Sequence, residues 1–381
     1  MELAQAIMAL SPRFKTKVFT CTPLCTVTGT VDQFTISVAA VVAGRRDPIL
    51  EIRVGQTIDG LGTSGFASVG TVISVNRVTR VVTMSSVNID NFTSTPAVFG
   101  YSNTFTVPSD VYVLWASYCG AGTAGAGGYS GVGAGGGGGA ASCTFEDVEI
   151  PVYPGQVIKI TVGAPIAGGL VGAQAGVSSS AGSPTDPRTS ILANDGLVDW
   201  AGTGNILSAI DYSSDAGLIV PIYMPTGRAN LNGTGKAGIG TATVGGVGAM
   251  GAPEYGILGT AAGGLAGGVG GSAGVNASNG LSALQTRGKY YSSGGSGGGG
   301  AGPSSSSPGE GGSDLMHTDG YTTVGSGAGG NGGSSRYGKG GVATLTIGGD
   351  ARGYGSGSAG GATGYVAGAS APGICILKWL R

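Results

Sequence analysis

Residues 110–150 read DVYVLWASYCGAGTAGAGGYSGVGAGGGGGAASCTFEDVEI, and the reading of this stretch decides the fold. An apolar, β-favouring run leads into Gly120, Gly122 and Gly125, a literal G-x-G-x-x-G, with Glu146 and Asp147 placed where a dinucleotide-binding fold keeps its ribose acid. Such a turn must open an amphipathic helix whose N-terminus holds the pyrophosphate. Here glycine and alanine continue almost unbroken to Ala141. Each interior glycine costs a helix roughly 1 kcal/mol relative to alanine, and no apolar stripe at helical spacing offsets it. The glycines build something other than a nucleotide site, and no cofactor is expected.

Working outward, glycine recurs at every third residue in several tracts: Gly122, Gly125, Gly128 and Gly131; Gly245, Gly248 and Gly251; Gly264, Gly267 and Gly270; Gly294, Gly297 and Gly300; Gly327, Gly330 and Gly333. A polyproline II strand has about three residues per turn, rises about 3.1 Å per residue and makes no internal hydrogen bonds. Its amides and carbonyls need outside partners. Glycine removes the Cβ that would hold a neighbouring strand away. Collagen meets the same requirement with strict triplets and abundant proline, whereas this chain has 81 glycines and only 16 prolines among 381 residues, with triplets that soon break. The expectation is an array of short glycine threads. The competing reading is a set of flexible linkers, which SSGGSGGGGAGPSSSSPGEGG at 292–312 fits best. Charged residues are only 10% and hydrophobic residues 41%, which opposes disorder.

The fold class expected is mainly β: a small N-terminal β module over residues 1–103, then a glycine-rich domain over residues 104–381 made of short β-strands and polyglycine helices. In the first region VTGTVDQFTISVAAVV suits a pleated surface. ILEIRV at 49–54 reads as a strand with Leu50, Ile52 and Val54 on its buried face. TVISVNRVTRVVTM reads as a hairpin turning near Asn76 and Arg77, with Val72, Ile73, Val75, Val81 and Val82 as core candidates. MELAQAIMALSPRFKTK at the start reads as a short helix, without the basic leader of a secretory signal. In the second region TFTV, DVYVLWASY, CTFEDVEIPV, QVIKITVGA, VATLTIGG and GICILKWLR read as strands between glycine tracts. Residues 183–226 form an insertion poor in glycine.

Net charge is −1 and the cations are scattered singly, so nucleic acid is not an expected partner. No run approaches the ~20 apolar residues that span a bilayer, so membrane insertion is not expected either. Cys21, Cys25, Cys119, Cys143 and Cys375 are an odd set that reads as thiols rather than as a disulfide framework, although pairing of the flanking strands would bring Cys119 and Cys143 together. Cys21 and Cys25 offer half a zinc site, but His317 is the sole histidine and no second cysteine pair follows, so no metal is expected. His317, flanked by Asp314 and Asp319, lacks a nucleophile elbow, and the spatial relation of Asp195, Asp199, Asp211 and Asp215 is open. The chain is not read as an enzyme.

NTFTVPSDVYVLWASYCGAGTAGAGG, then VYPGQVIKITVGAP, then SAPGICILKWLR, in that order, resemble the glycine-rich domain of bacteriophage tail-fibre and receptor-binding proteins. The likeness rests on Phe-x-Val-Pro at 105–108, Pro-Gly-Gln at 154–156, Ile-x-Val-Gly at 160–163 and the closing strand at 372–379, and spans residues 104–381. The first region, with EIRVGQTIDGLG and TSTPAVFGYS, also looks like a small β module of phage fibre proteins. The resemblance implies a virion fibre protein assembled in the host cytoplasm: a tail fibre or receptor-binding adhesin, with a purely structural head-fibre, collar or tail component as the alternative. It implies an N-terminal part attached to other virion proteins, a C-terminal part facing a host surface polysaccharide or outer-membrane protein, and a homotrimer. Aromatic rings beside rigid glycine tracts offer flat contact surfaces, so Tyr129, Tyr290, Tyr291, Tyr321, Tyr337, Tyr354 and Tyr365 are the receptor-contact candidates, against the alternative that they wedge between threads as spacers.

Overall fold

The computed structural model describes residues 14–30, 33–41, 45–62, 65–86, 92–142, 144–173, 189–193, 222–224, 237–249, 269–273, 275–277, 279, 291–292, 297–304, 306–312 and 325–380. The protein is mainly β, and no α-helix occurs among these residues.

Six strands close a barrel in the order β2-β3-β6-β5-β4-β7: β2 (Cys25–Gly29), β3 (Thr35–Val38), β4 (Thr57–Gly62), β5 (Gly65–Asn76), β6 (Val81–Met84) and β7 (Phe92–Phe99). Alternate residues point inward, so Cys25 and Val27, Ile36 and Val38, and Val82 and Met84 meet in one core. The hairpin at residues 77–80 forms as its sequence predicts, with Asn76 Oδ1 accepting from the Val78 and Thr79 amides at 3.1 and 3.0 Å. Two expectations fail here. ILEIRV is not a strand: Asp47 caps a single 3₁₀ turn, Pro48–Leu50, by accepting from the Ile49 amide. Proline at the first position fixes that turn, so Ile49 and Ile52 are buried while Leu50 and Val54 face outward. Ile73 is exposed because a bulge in β5 between Val72 and Ser74 reverses its facing, whereas Val72 and Val82 are buried and Val75 packs on them.

The remaining strands make two sheets. One runs β1-β15-β9-β10-β14, with β1 (Phe14–Thr20), β9 (Val113–Cys119), β10 (Thr144–Pro151), β14 (Tyr291–Ser292) and β15 (Ile374–Leu380). The other runs β13-β12-β11-β8, with β8 (Ser102–Thr106), β11 (Val157–Thr161), β12 (Thr189–Ala193) and β13 (Ile222–Met224). Side chains of both sheets share one core that includes Phe105, Leu114, Tyr118, Ile158, Ile160 and Leu377. β1 pairs along its whole length with β15, from Phe14↔Leu380 to Thr20↔Ile374, and β8 begins at Ser102. Phe14 to Lys17, expected in a helix, lie in β1, and the rest of that expected helix falls outside the described residues. The insertion contributes β12 and β13; its other residues fall outside as well.

Strands β9, β10, β11 and β15 run into an array of extended glycine threads. Residues 134–142 are its centre. Ala134 and Gly137 N–H donate to Thr241 and Gly238, Gly135 and Gly138 to Ala301 and Gly298, and Gly136, Gly139 and Ser142 to Gly361, Ser358 and Gly355. From Ala134 to Gly139 the partner thread changes at each residue and returns every third one, a threefold repeat, while Ala140 N–H donates instead to Thr123 Oγ1 at 2.7 Å. The carbonyls follow the same rule: Ala126 and Thr123 donate to Gly137 and Ala140, Gly246 and Ala249 to Gly135 and Gly138, and Gly330 and Gly333 to Gly136 and Gly139. Six neighbours thus surround one thread, three accepting from it and three donating to it, and no residue of 133–142 is exposed.

The glycine period has a contact behind it. A Cβ on Gly122, Gly125 or Gly128 would strike the backbone carbonyl of Ser356, Ala359 or Ala362, and on Gly297 or Gly300 that of Gly138 or Gly135. Where alanine occurs its methyl finds room, and Ala126, Ala140, Ala237 and Ala249 form a buried seam. Serine and asparagine within the tracts bond backbone groups: Ser358 Oγ accepts from Gly125 N–H at 2.9 Å and donates to Gly368 O, and Asn331 donates to Gly309 O while accepting from Ala343 N–H. The linker reading fails for 297–304 and 306–312, whose Gly297, Gly298, Gly300 and Gly309 amides all bond to other threads. VATLTIGG is not a strand either. Among the described residues no strand pairs with it; its ends enter the array through Gly341 and Gly349, and Thr344 Oγ1 closes a turn onto Ile347 O at 2.7 Å.

Candidate functional site

The threads have two unlike ends. At one, Cys119, Thr144, Thr161 and Ile374 continue as strands over the shared core. At the other, the chain reverses in loops at 129–133, 170–173, 241–244, 344–346 and 363–365. Backbone bonds tie these loops together: Gly172 N–H to Gly128 O at 2.8 Å, Gly364 to Tyr129 at 2.7 Å, Ala134 to Thr241 at 2.9 Å and Ala362 to Thr346 at 3.1 Å. Thr363 Oγ1 adds a bond to Gly133 O at 2.7 Å.

This loop end carries exposed apolar side chains: Val132 at 95% exposure, Leu170 at 70% and Leu345 at 55%, beside Val171, Val244 and Tyr365. Single exposed apolar residues are ordinary, but several brought to one rigid end make a surface with contact value. The five loops contain no aspartate, glutamate, lysine, arginine or histidine. Recognition there would work through apolar contact and backbone or hydroxyl hydrogen bonds.

The structure divides the tyrosine candidates. Tyr129 and Tyr365 stand at the loop end, Tyr129 half-buried with its ring against Gly131 and Gly133, and Tyr365 exposed. Tyr337 and Tyr354 lie at the strand end, joined by a bond from Tyr354 N–H to Tyr337 O at 3.1 Å. Burial holds the Tyr337 phenol above its ordinary range, the nearby Cys119 and Glu146 add to this, and a hydrogen bond with Ser117 of β9 opposes it. The residue is half-buried. Tyr291 belongs to β14 opposite Phe145, and Tyr290 and Tyr321 lie outside the described residues. The neighbouring cations divide too: Arg336 is tied to Glu146 at 3.0 Å, Arg352 is exposed, and Lys289 lies outside. Reasoning from sequence missed Val132, Leu170 and Leu345. The available signal was one or two large apolar residues set between glycines or threonines, although for Leu345 the strand reading of VATLTIGG masked it.

A second feature absent from the sequence reading fixes the barrel to the array. Arg45 pairs with Asp350 and donates to Ala367 O at 2.9 Å, while Asp350 also accepts from the Arg46 amide at 3.1 Å and the Ala369 amide at 2.8 Å. Arg46 reaches Gly353 O at 3.0 Å and pairs with Glu51. A cleft of about 290 Å³ beside this latch is walled mainly by Pro23, Leu24, Val41, Leu170 and Val366.

Cys21 and Cys25 are a pair of buried thiols, Cys21 donating to Thr22 O and Cys25 to Ala97 O. Burial pushes the Cys25 thiol up to about 12, which disfavours the thiolate a metal needs. Among the described residues no cluster of His, Cys, Asp or Glu could hold a metal ion. His317, Asp314, Asp319, Asp195, Asp199, Asp211, Asp215 and Cys143 lie outside them. No helix among the described residues is long and apolar enough to cross a membrane. The chain matches no family model, and comparison with curated proteins finds no relative.

Proposed function

We propose that the protein is a phage virion fibre component, a tail fibre or receptor-binding adhesin, whose loop end meets the host surface. The observation that carries this reading is the convergence of five uncharged loops, with exposed Val132, Leu170 and Leu345, on one end of a fully bonded thread array. Recognition residues on a rigid scaffold lose little conformational entropy on contact. The absence of charge in those loops favours a partner with apolar and hydroxyl chemistry, such as an outer-membrane protein loop or a neutral polysaccharide. The barrel, latched to the array through Arg45 and Asp350, is the part that joins other virion proteins in this proposal. A purely structural virion component is the second reading, and the half-buried position of Tyr337 at the strand end, away from the loops, favours it.

The two separate in one experiment. The labelled full-length chain is offered to a panel of bacterial strains, alongside a V132S/L170S/L345S variant. An adhesin labels susceptible cells and blocks phage adsorption, and the variant loses at least about tenfold in cell affinity with an unchanged melting curve. A chain that is incorporated into particles but labels no strain, or a variant that labels as well as the parent, defeats the adhesin reading.

A further inference from the structure

We propose that the outer edge of β1 is a docking site for an extended segment of a partner protein in which acidic and apolar side chains alternate, added to the sheet as a further strand. β1 is the first strand of the five-stranded sheet and spends one edge on β15 through all seven residues. Among the described residues no strand meets its other edge. Five successive side chains, Phe14 to Val18, are exposed. At the end of β1 the Thr20 carbonyl accepts from Gln56 Nε2 at 3.2 Å, which leaves Phe14 to Phe19, roughly 20 Å of edge, for main-chain pairing with an added strand.

The side chains specify the occupant. Phe14, Thr16 and Val18 share one face with Ile376, Lys378 and Leu380 of β15; the Lys378 ammonium is held by Asp147 at 2.7 Å, and the Phe14 ring stands edge-on to Trp115 of β9 at 5.7 Å. Phe14 and Val18 leave apolar surface exposed on it. Lys15 and Lys17 share the opposite face with Phe19, over whose ring the Lys17 ammonium lies at 6.0 Å. Among the described residues neither lysine pairs with a carboxylate. Lysine on an edge strand repels an identical strand, because antiparallel pairing of two β1 copies brings like charges together. A second copy is therefore the wrong occupant. A strand with acids opposite Lys15 and Lys17 and apolar residues between them turns that repulsion into attraction and covers the Phe14 and Val18 face. The site stands whether or not the loop end binds a cell.

The probe is an acetylated, amidated peptide, Glu-Val-Glu-Thr-Glu-Val-Glu, titrated onto the full-length chain by fluorescence anisotropy. Saturable binding is expected. Lys15→Glu with Lys17→Glu should weaken it by at least about tenfold, with the loss recovered by the peptide carrying lysine for glutamate. Both lysines are exposed, so the variant's melting curve should match the parent's. N-methylation of alternate peptide amides keeps the charge and removes edge bonding, and should abolish binding. No binding up to about 1 mM, equal binding to the charge-reversed variant, or retained binding of the N-methylated peptide overturns the proposal. So does sedimentation showing that the parent self-associates and the charge-reversed variant does not, since β1 would then serve a second copy.

Discussion

Replacing Gly137 by alanine tests the thread array at its centre. The backbone there is not in the positive-φ region, so alanine meets no dihedral strain. On its own, glycine to alanine at such a position stabilises by about 0.4–1 kcal/mol through the unfolded chain. Against that, the new methyl would strike the Val247 carbonyl and come within 2.9 Å of the Gly248 nitrogen. Both are backbone atoms, held by neighbours that cannot rotate away. Overpacking of this kind costs about 1–3 kcal/mol. Moving the threads apart also weakens the bond from Gly137 N–H to Gly238 O at 2.9 Å and that from Ala126 N–H to Gly137 O at 3.0 Å. Each is worth about 0.5–1.5 kcal/mol. The clash and the bonds outweigh the entropic gain, leaving a net loss of about 1–5 kcal/mol. Gly131→Ala is the control, because its methyl meets only the Tyr129 ring, from 3.1 Å, in an exposed turn. The assay is urea unfolding of both variants, with hydrogen exchange at the Ala126 and Gly246 amides. A lower midpoint and faster exchange for Gly137→Ala only are expected. A Gly137→Ala protein as stable as the parent would refute the claim that backbone contact, rather than chain flexibility, requires glycine there.

Four further outcomes follow from the charges and thiols. Burial raises Cys25 from its ordinary 9.0 to about 12, so the folded state holds this proton more tightly; its contribution is complete below pH 9 and is lost as pH rises from 9 towards 12. Thiol alkylation at pH 8 should leave Cys25 and Cys375 unlabelled in the native protein and label both in denaturant. Arg80 hydrogen-bonds Asp47 at 2.7 and 2.8 Å and holds its carboxyl below the ordinary 3.8, so that stability is present above 3.8 and fades as pH falls below it. Asp47→Asn should remove this acid-side loss, as read from unfolding midpoints between pH 5 and about 2. Asp350→Ala, which leaves Arg45 and two amides without their acceptor, should cost about 1–3 kcal/mol and speed exchange at Arg46 and Ala369. Lys378→Ala, removing a more exposed pair with Asp147, should cost no more than about 1 kcal/mol in the same unfolding assay.

The sequence made local features plain and left long-range ones hidden. Strands β9, β10, β11 and β15 and the β5–β6 hairpin could be read because alternation and turn residues act within a few positions. The three-residue glycine period could be read because positions such as Gly122, Gly125, Gly128, Gly245, Gly248, Gly297, Gly300 and Gly330 face a neighbouring backbone carbonyl. Residues 49–54 misled because their apolar alternation imitates a strand, while the short-range effect of Asp47 and Pro48 overrode it. Ile73 misled because a bulge shifts facing without changing composition. Nothing local tells β1 to pair with β15, or tells which loops will gather at one end of the array, since that depends on the direction of each thread. The tyrosines were visible as a group, and their division between two ends was not.

The central thread also governs how the chain can be made. Its amides need acceptors at Gly298, Ser358 and Gly361, and Gly125 waits for a serine 233 residues downstream. While residues 134–142 leave the ribosome, none of those acceptors has been synthesised. The half-made product must stay open, with its polar backbone satisfied by water, until the distant partners emerge and the lattice closes nearly at once. Such non-local topology folds slowly. Truncation before residue 355 should thus yield a chain with a folded barrel and an uncondensed remainder, rather than a shorter version of the same array.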